Sequence, residues 1–270
     1  MKPLFFNHVA IEAVECVLPS TVITSAEIES QISAPMQRMG IKPGLIEGLS
    51  GIRERRFWDA DQQASDVATL AAEKVLEKTG IPREAIGCLI STSVSKDYIE
   101  PSVASLVHGN LKLADHCINY DMGNACLGFV NGMASVGMMI DAGLVDYGLI
   151  VDGENSREVV EATIDRLRKP DATPESFRDQ FATLTLGSGA VAMILCRRDL
   201  ATSGHVANGR PAPGIAHPPP PPGGGGAPSP DDLPRGTRLP PPCQGVPPPS
   251  PGIFPSTVGP AVSRPEPPRL

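Results

Sequence analysis

The chain has 270 residues, enough for one large domain or two small ones, and a formal net charge of −7 at pH 7. The charge is unevenly spread: residues 1–204 carry 18 Lys and Arg against 27 Asp and Glu, whereas residues 205–270 carry five Arg and three acids. An acidic body argues against nonspecific nucleic-acid binding. Residues 211–270 hold 22 of the 30 prolines and only nine Leu, Ile, Val or Phe, too few to bury a core.

Phe5 to Val17 alternates loosely and reads as a strand. Thr24-Ser25-Ala26-Glu27 is a capping-box pattern opening a short helix through Ile32. Met39 to Gly51 reads as a Gly-rich connection. Ile52 to Trp58 reads as a strand edge containing Arg53, Arg55 and Arg56. Those arginines suit either an anionic ligand or, more commonly, a solvated charged edge.

Ala64 to Thr79 has the clearest helical period. Ser65 or Asp66 can cap it, Val67, Leu70, Ala71, Val75 and Leu76 form its apolar face, and Gly80 ends it. Ile86 to Val94 is an apolar run that fits a buried strand. Ser102 to Leu111 reads as a helix, Cys117 to Met122 as a strand, and Gly128 to Ile140 as a helix. Tyr147 to Val151 is a further buried strand, Val159 to Leu167 and Pro174 to Leu184 are helical, and Gly189 to Cys196 is the last strand. Strands apolar on both faces alternate with helices, which predicts an α/β fold: a central sheet covered by helices. The periodicity stops near His205. The expected organisation is a domain over 1–204 and a disordered Pro/Gly-rich tail over 205–270.

The cysteines are residues 16, 88, 117, 126, 196 and 243. None is paired at CxxC spacing and none has a His at zinc-finger distance, so no metal is expected and a reduced, cytoplasmic thiol set is. The apolar run at the N-terminus is too short for a signal peptide, and no window approaches a membrane span. Cys126 differs from the rest. It lies in Asn124-Ala125-Cys126-Leu127-Gly128-Phe129, between a strand and a helix, with small neighbours on either side. A helix N-terminus favours a thiolate, the nucleophilic form. The alternative is a small buried hydrophobe, the usual state of a free cysteine.

Three other signals carry less. Gly223–Gly226 lacks the strand, helix and Lys-Ser/Thr of a phosphate loop and reads as linker. Gly187-Ser188-Gly189 reads as a turn. The proline runs at 218–222, 240–242 and 247–249 have the composition of polyproline II but no regular repeat.

Cys126 with its flanks resembles the thiolase superfamily, within it the ketoacyl synthase III group, and most closely the OleA enzymes. The likeness also covers Gly51-Ile52-Arg53-Glu54-Arg55-Arg56-Phe57-Trp58, Thr92 to Ser102, and Leu184 to Ala190, and it extends to about Leu200. It implies the N-terminal half of a thiolase-like fold with a central mixed sheet. It further implies non-decarboxylative Claisen condensation of two long-chain acyl-CoAs to a β-keto acid, as in bacterial hydrocarbon synthesis, with acyl-CoA as substrate, no cofactor and a homodimeric parent. Cys126 falls on the family's acyl-accepting cysteine. Glu100 falls on an acid that reaches the partner subunit's active site and is a candidate base. From its own surroundings, Glu100 reads as an exposed acid before a helix that begins near Pro101.

The sequence departs from the pattern where the group's Trp and Arg clamp the CoA adenine: Leu45 and Leu49 stand there. Residues that bind CoA are therefore not assigned. None of the five histidines, 8, 108, 116, 205 and 217, stands in the context of the family's catalytic His. The rival functions are a decarboxylating ketoacyl-ACP synthase III and a non-catalytic half-domain that binds a partner subunit or acyl-CoA. After residue 204 no Lys, Tyr or Trp occurs, and the Pro, Gly, Ala and Arg that dominate have GC-rich codons. That is the yield of an out-of-frame reading of a GC-rich gene. Translating the same DNA one nucleotide off is expected to restore a second half-domain with an active-site His and Asn, and sequencing across codons 198–210 checks it.

Overall fold

The computed structural model describes residues 6–202 and the backbone of His205 and Val206. Apart from His205 and Val206, the expected disordered tail over 205–270, its proline runs and Gly223–Gly226 lie outside these residues.

Six strands form one mixed sheet in the order β5-β4-β6-β7-β1-β8. They are β1 Val9–Val17, β4 Ile86–Ser91, β5 Ile118–Asp121, β6 Tyr147–Glu154, β7 Gly189–Arg197 and β8 His205–Val206. β4 pairs parallel with both β5 and β6, whereas β7 runs antiparallel to both β6 and β1. β8 extends the sheet just past residue 204, pairing with Ala10 and Ile11. A separate two-stranded ribbon joins β2 Thr21–Thr24 to β3 Glu54–Phe57.

The sheet is covered on both faces, as its apolar strands require. On one face α4 (Ala64–Thr79) and α5 (Val103–Leu111) bury Val67, Val75 and Val107 against Leu149, Val151 and Ile194. On the other, α6 (Gly128–Asp141) buries Val136 and Ile140 against Cys88, Ile90 and Ile150. A further cluster gathers α1 (Ser25–Gln31), α2 (Ser33–Arg38), α3 (Leu45–Ser50), α7 (Arg157–Arg168) and α8 (Pro174–Gln180) around Ile32, Ile46, Leu167 and Phe177.

Local rules account for most element ends. Thr24 and Glu27 form the capping box of α1. Gly80 closes α4 at φ +67°, a left-handed conformation that glycine adopts without strain. Four expectations are corrected. Of the two caps expected for α4, Asp66 takes the role, accepting from Gln63 N, whereas Ser65 donates to Asp97. Leu70 is 43% exposed rather than on the apolar face. The stretch from Met39 to Gly51 contains α3, because the Glu29 carboxylate accepts from the amides of Gly44 (2.6 Å) and Ile46 (2.7 Å) and caps it from a distance. Arg55 is buried rather than solvated, and its guanidinium donates to Ile23 O, Ser25 Oγ and Leu184 O.

α6 is apolar almost all round, a composition normally buried on every side. Yet Val130 and Met138 on it, and Leu127 just before it, are more than half exposed. Exposed apolar surface of this kind favours association. The purified chain is therefore expected to form oligomers at micromolar concentration, and the double substitution V130K/M138K to shift it toward monomer in light scattering.

Candidate active site

Cys126 stands where β5 hands over to α6. The parallel ladder is prolonged by Met122 N donating to Ser91 O at 2.8 Å, which fixes the exit of β5. The chain then turns through Gly123 and Asn124 into a single 3-10 turn, Ala125–Leu127, which leads directly into α6. Ala125 has φ +44°, a left-handed conformation that costs an L residue about 1 kcal/mol or more. The turn is closed by Leu127 N donating to Asn124 O at 3.0 Å and braced by Asn124 Nδ2 donating to Asn131 Oδ1 at 2.5 Å. The result is a sharp strand-to-helix turn with an exposed cysteine at its centre.

The other described cysteines are unlike it. Cys88, Cys117 and Cys196 are buried. Burial pushes the thiols of Cys88 and Cys196 up to about 12 and that of Cys117 to about 11, with Cys117 adding to the rise at Cys88 and Glu12 to that at Cys196. They stay protonated at any ordinary pH and are poor nucleophiles. Cys16, on β1, is exposed and free.

Glu100 is carried by the loop that leaves β4, the parallel neighbour of β5. Cys126 and Glu100 thus both follow the C-terminal ends of adjacent parallel strands, where open α/β sheets place their ligands. Three carboxylates pin this loop. Glu154 accepts from Val94 N (2.6 Å), Ser95 N (3.1 Å) and Ser95 Oγ (2.7 Å). Asp97 accepts from the amide and hydroxyl of Ser65. Asp121 pairs with Lys96 and also accepts from the amides of Val103 and Ala104 at the start of α5. So anchored, the loop holds Tyr98, Ile99 and Glu100 out to solvent, Ile99 at 95% exposure. Glu100 has no hydrogen bond or ion pair among the described residues and precedes a cis peptide bond to Pro101.

Several residues take structural roles. Arg56 donates to Pro19 O, Arg53 pairs with Glu47, and the His108 ring contacts Ala114 O. Ser188, in the Gly187–Gly189 turn, accepts from Ser156 N at 3.1 Å. No cluster of three or more metal-binding side chains occurs among the described residues, and no helix among them is long and apolar enough to cross a membrane. A half-open cavity of about 730 Å3 lies between α1, α2 and the segment before α3, lined by Ser25, Met36, Ile41 and Pro43 among others. Neither Cys126 nor Glu100 lines it.

No family model matches the chain. The acyl-CoA:acyl-CoA alkyltransferase of Xanthomonas campestris is 46% identical over 197 residues, 73% of this chain and 58% of that protein. The crystal structure of cerulenin-bound Xanthomonas campestris OleA superposes with a TM-score of 0.72 at 46% identity, covering 74% of this chain and 60% of the other. This is an OleA-like, thiolase-type fold. The OleA-like chain spans about three fifths of the length of these relatives. It is also similar, at 29% identity over 178 residues, to the β-ketoacyl-[acyl-carrier-protein] synthase III of Serratia proteamaculans, a more distant likeness.

The accessibility pattern predicts which thiol reacts. With limiting iodoacetamide on the folded chain, Cys126 is expected to label first, Cys16 more slowly, and Cys88 and Cys196 hardly at all. Peptide mapping that found Cys88 or Cys196 ahead of Cys126 would contradict the assignment.

Proposed function

We propose that the OleA-like chain carries the nucleophile-bearing part of a condensing acyltransferase that joins two acyl-CoAs. The observation that supports this best is the exposed Cys126 on a strained turn at the start of α6, beside a loop that presents Glu100. In this reading the Cys126 thiolate attacks the carbonyl carbon of an acyl-CoA thioester. The tetrahedral intermediate collapses with loss of CoA thiolate and leaves an S-acyl cysteine. A base, for which Glu100 is the candidate, removes a proton from the α-carbon of a second acyl-CoA. The carbanion attacks the acyl-cysteine carbonyl, a carbon–carbon bond forms, and Cys126 leaves as thiolate. Hydrolysis of the remaining thioester gives the β-keto acid. No cofactor is needed, because both carbonyls are already activated as thioesters. Free cysteines throughout the described residues suit a cytoplasmic setting. Assembly as a homodimer would let the Glu100 loop reach a partner's Cys126.

A condensing site also needs donors that stabilise the oxyanion and polarise the second carbonyl. In the resembled family a His and an Asn outside the matched region supply them, and none of this chain's five histidines has a sequence context like that of the family's catalytic His. A second reading is therefore a half-domain that binds a partner subunit or acyl-CoA without condensing; the exposed apolar side of α6 favours it. Incubating the full chain with a long-chain acyl-CoA separates the readings. We expect a mass gain of one acyl group, abolished by C126A, and no β-keto acid. Condensed product from acyl-CoA alone would establish the complete OleA-type reaction in this chain. Product that required malonyl-ACP would point to a ketoacyl synthase III.

A further inference from the structure

Small-molecule sites are concave and mostly apolar, with a few placed polar groups, and measure roughly 300–1,000 Å3. The half-open cavity of about 730 Å3 between α1, α2 and the segment before α3 has that size, and no step of the proposed acyl transfer uses it. Its apolar surface comes from Ala26, Met36, Ile41 and Pro43. Met36 is buried in the same cluster as Ile32 and Ile46, so this wall is fixed by the core behind it.

Most polar groups of the lining are already engaged. Three serine hydroxyls turn to backbone carbonyls: Ser25 donates to Ile52 O, Ser30 to Glu27 O and Ser33 to Ser30 O. Glu29 accepts from Gly44 N and Ile46 N, one through each carboxylate oxygen, and Glu47 pairs with Arg53 at 3.6 Å. Two lining side chains are left, the Lys42 ammonium and the Gln37 amide, which have no hydrogen bond or ion pair among the described residues. Both can donate, and the ammonium can only donate. A second cation lies behind the wall. The Arg55 guanidinium, 5% exposed, donates to Ser25 Oγ at 3.0 Å, its Nε has no partner, and no carboxylate pairs with it among the described residues. With Glu47 and Arg53 offsetting each other, two cations stand against the single charge of Glu29, whose oxygens both already accept. A cation without its own anion attracts negative charge, the more strongly where water is scarce.

We propose that this cavity binds a long-chain aliphatic carboxylate, the chemistry of a free fatty acid. The alkyl chain lies against Met36, Ile41 and Pro43, and the carboxylate accepts from Lys42 and Gln37 at the mouth, with Arg55 adding attraction from behind Ser25. A neutral headgroup would leave Lys42 unused, and a cationic one would oppose both Lys42 and Arg55. Binding makes and breaks no covalent bond, and it requires neither a reactive Cys126 nor acyl transfer.

The test is calorimetric titration of the full chain with three probes of equal tail length, dodecanoate, dodecanol and dodecyltrimethylammonium, all below micelle formation. Dodecanoate is expected to saturate one site per chain. The other two should bind about tenfold more weakly or worse, and octanoate at least about tenfold more weakly because it buries fewer methylenes. K42E should weaken dodecanoate by about tenfold, the size of reversing one exposed ion pair. A26W and I41W each put an indole into the cavity and should block binding; Ala26 is exposed on the first turn of α1, so that substitution leaves the core alone. V130K/M138K and C126A should bind as wild type does. Absence of saturable dodecanoate binding to the wild type overturns the proposal, whether or not any variant folds. Equal binding of dodecyltrimethylammonium overturns it, as does unchanged binding by folded A26W and I41W. Loss of binding in V130K/M138K or in C126A would put the ligand on α6 or at the Cys126 turn and overturn it as well, while Cys126 labelling judges the nucleophile reading separately.

Discussion

The fold depends on a single close approach. α6 lies so near the ends of β4 and β6 that its first two turns have room only for glycine, at Gly128 and Gly132. A methyl group at Gly132 would meet both Thr92 and Ile150, and overpacking of this kind costs about 1–3 kcal/mol. At Gly128 the approach is to the backbone carbonyl of Thr92, just past the end of β4, and at Gly132 it is to the side chains of Thr92 and Ile150. Because Cys126 immediately precedes α6, its position is inherited from the sheet. The strained Ala125 is tolerated for the same reason: the strand exit at Met122 and the helix start at Gly128 are both fixed, and the turn must join them.

The two segments that carry candidate chemistry are held by different means. The Cys126 turn is held by packing and by the ladder from β4 to β5. The Glu100 loop buries little of itself and is held by charge-assisted hydrogen bonds to Glu154, Asp97 and Asp121, stronger than neutral ones. Asp121 connects the two, since it ends β5 on the Cys126 side and pairs with Lys96 on the other. A loop fastened at its root and bare at its tip is anchored without being buried.

Much of this was legible in the sequence, because the signals were local. Strands β1 and β4 to β7, the span of α4, the Thr24 box and the strand-to-helix position of Cys126 follow from hydrophobic period and capping chemistry. The misses share a physical cause, namely partners distant in sequence. Arg55 reads as solvated until Leu184 O, 129 residues away, comes to meet it. Ser65 looks like a cap until Asp97 claims it. β2 is short and lacks clear alternation, so its pairing with β3 shows only in the structure. The positive φ at Ala125 and the contacts of Thr92 with Asp152 and α6 have no sequence signature, and only the resemblance singled out Glu100.

The capping of α3 bears on the order in which the chain assembles. Six residues are too few for a helix to persist alone in water, where nucleation is costly and one turn gains few hydrogen bonds. Gly44, at its start, has no side chain with which to cap it. The acceptor for its first amides is Glu29, fifteen residues upstream of Gly44 and already fixed within α1. α3 is thus a conditional element, whose capping hydrogen bonds form only once α1 is in place and the intervening chain has folded back. The carboxylate at Glu29 works as a latch: whatever dislodges α1 also unravels α3, so the two come and go together.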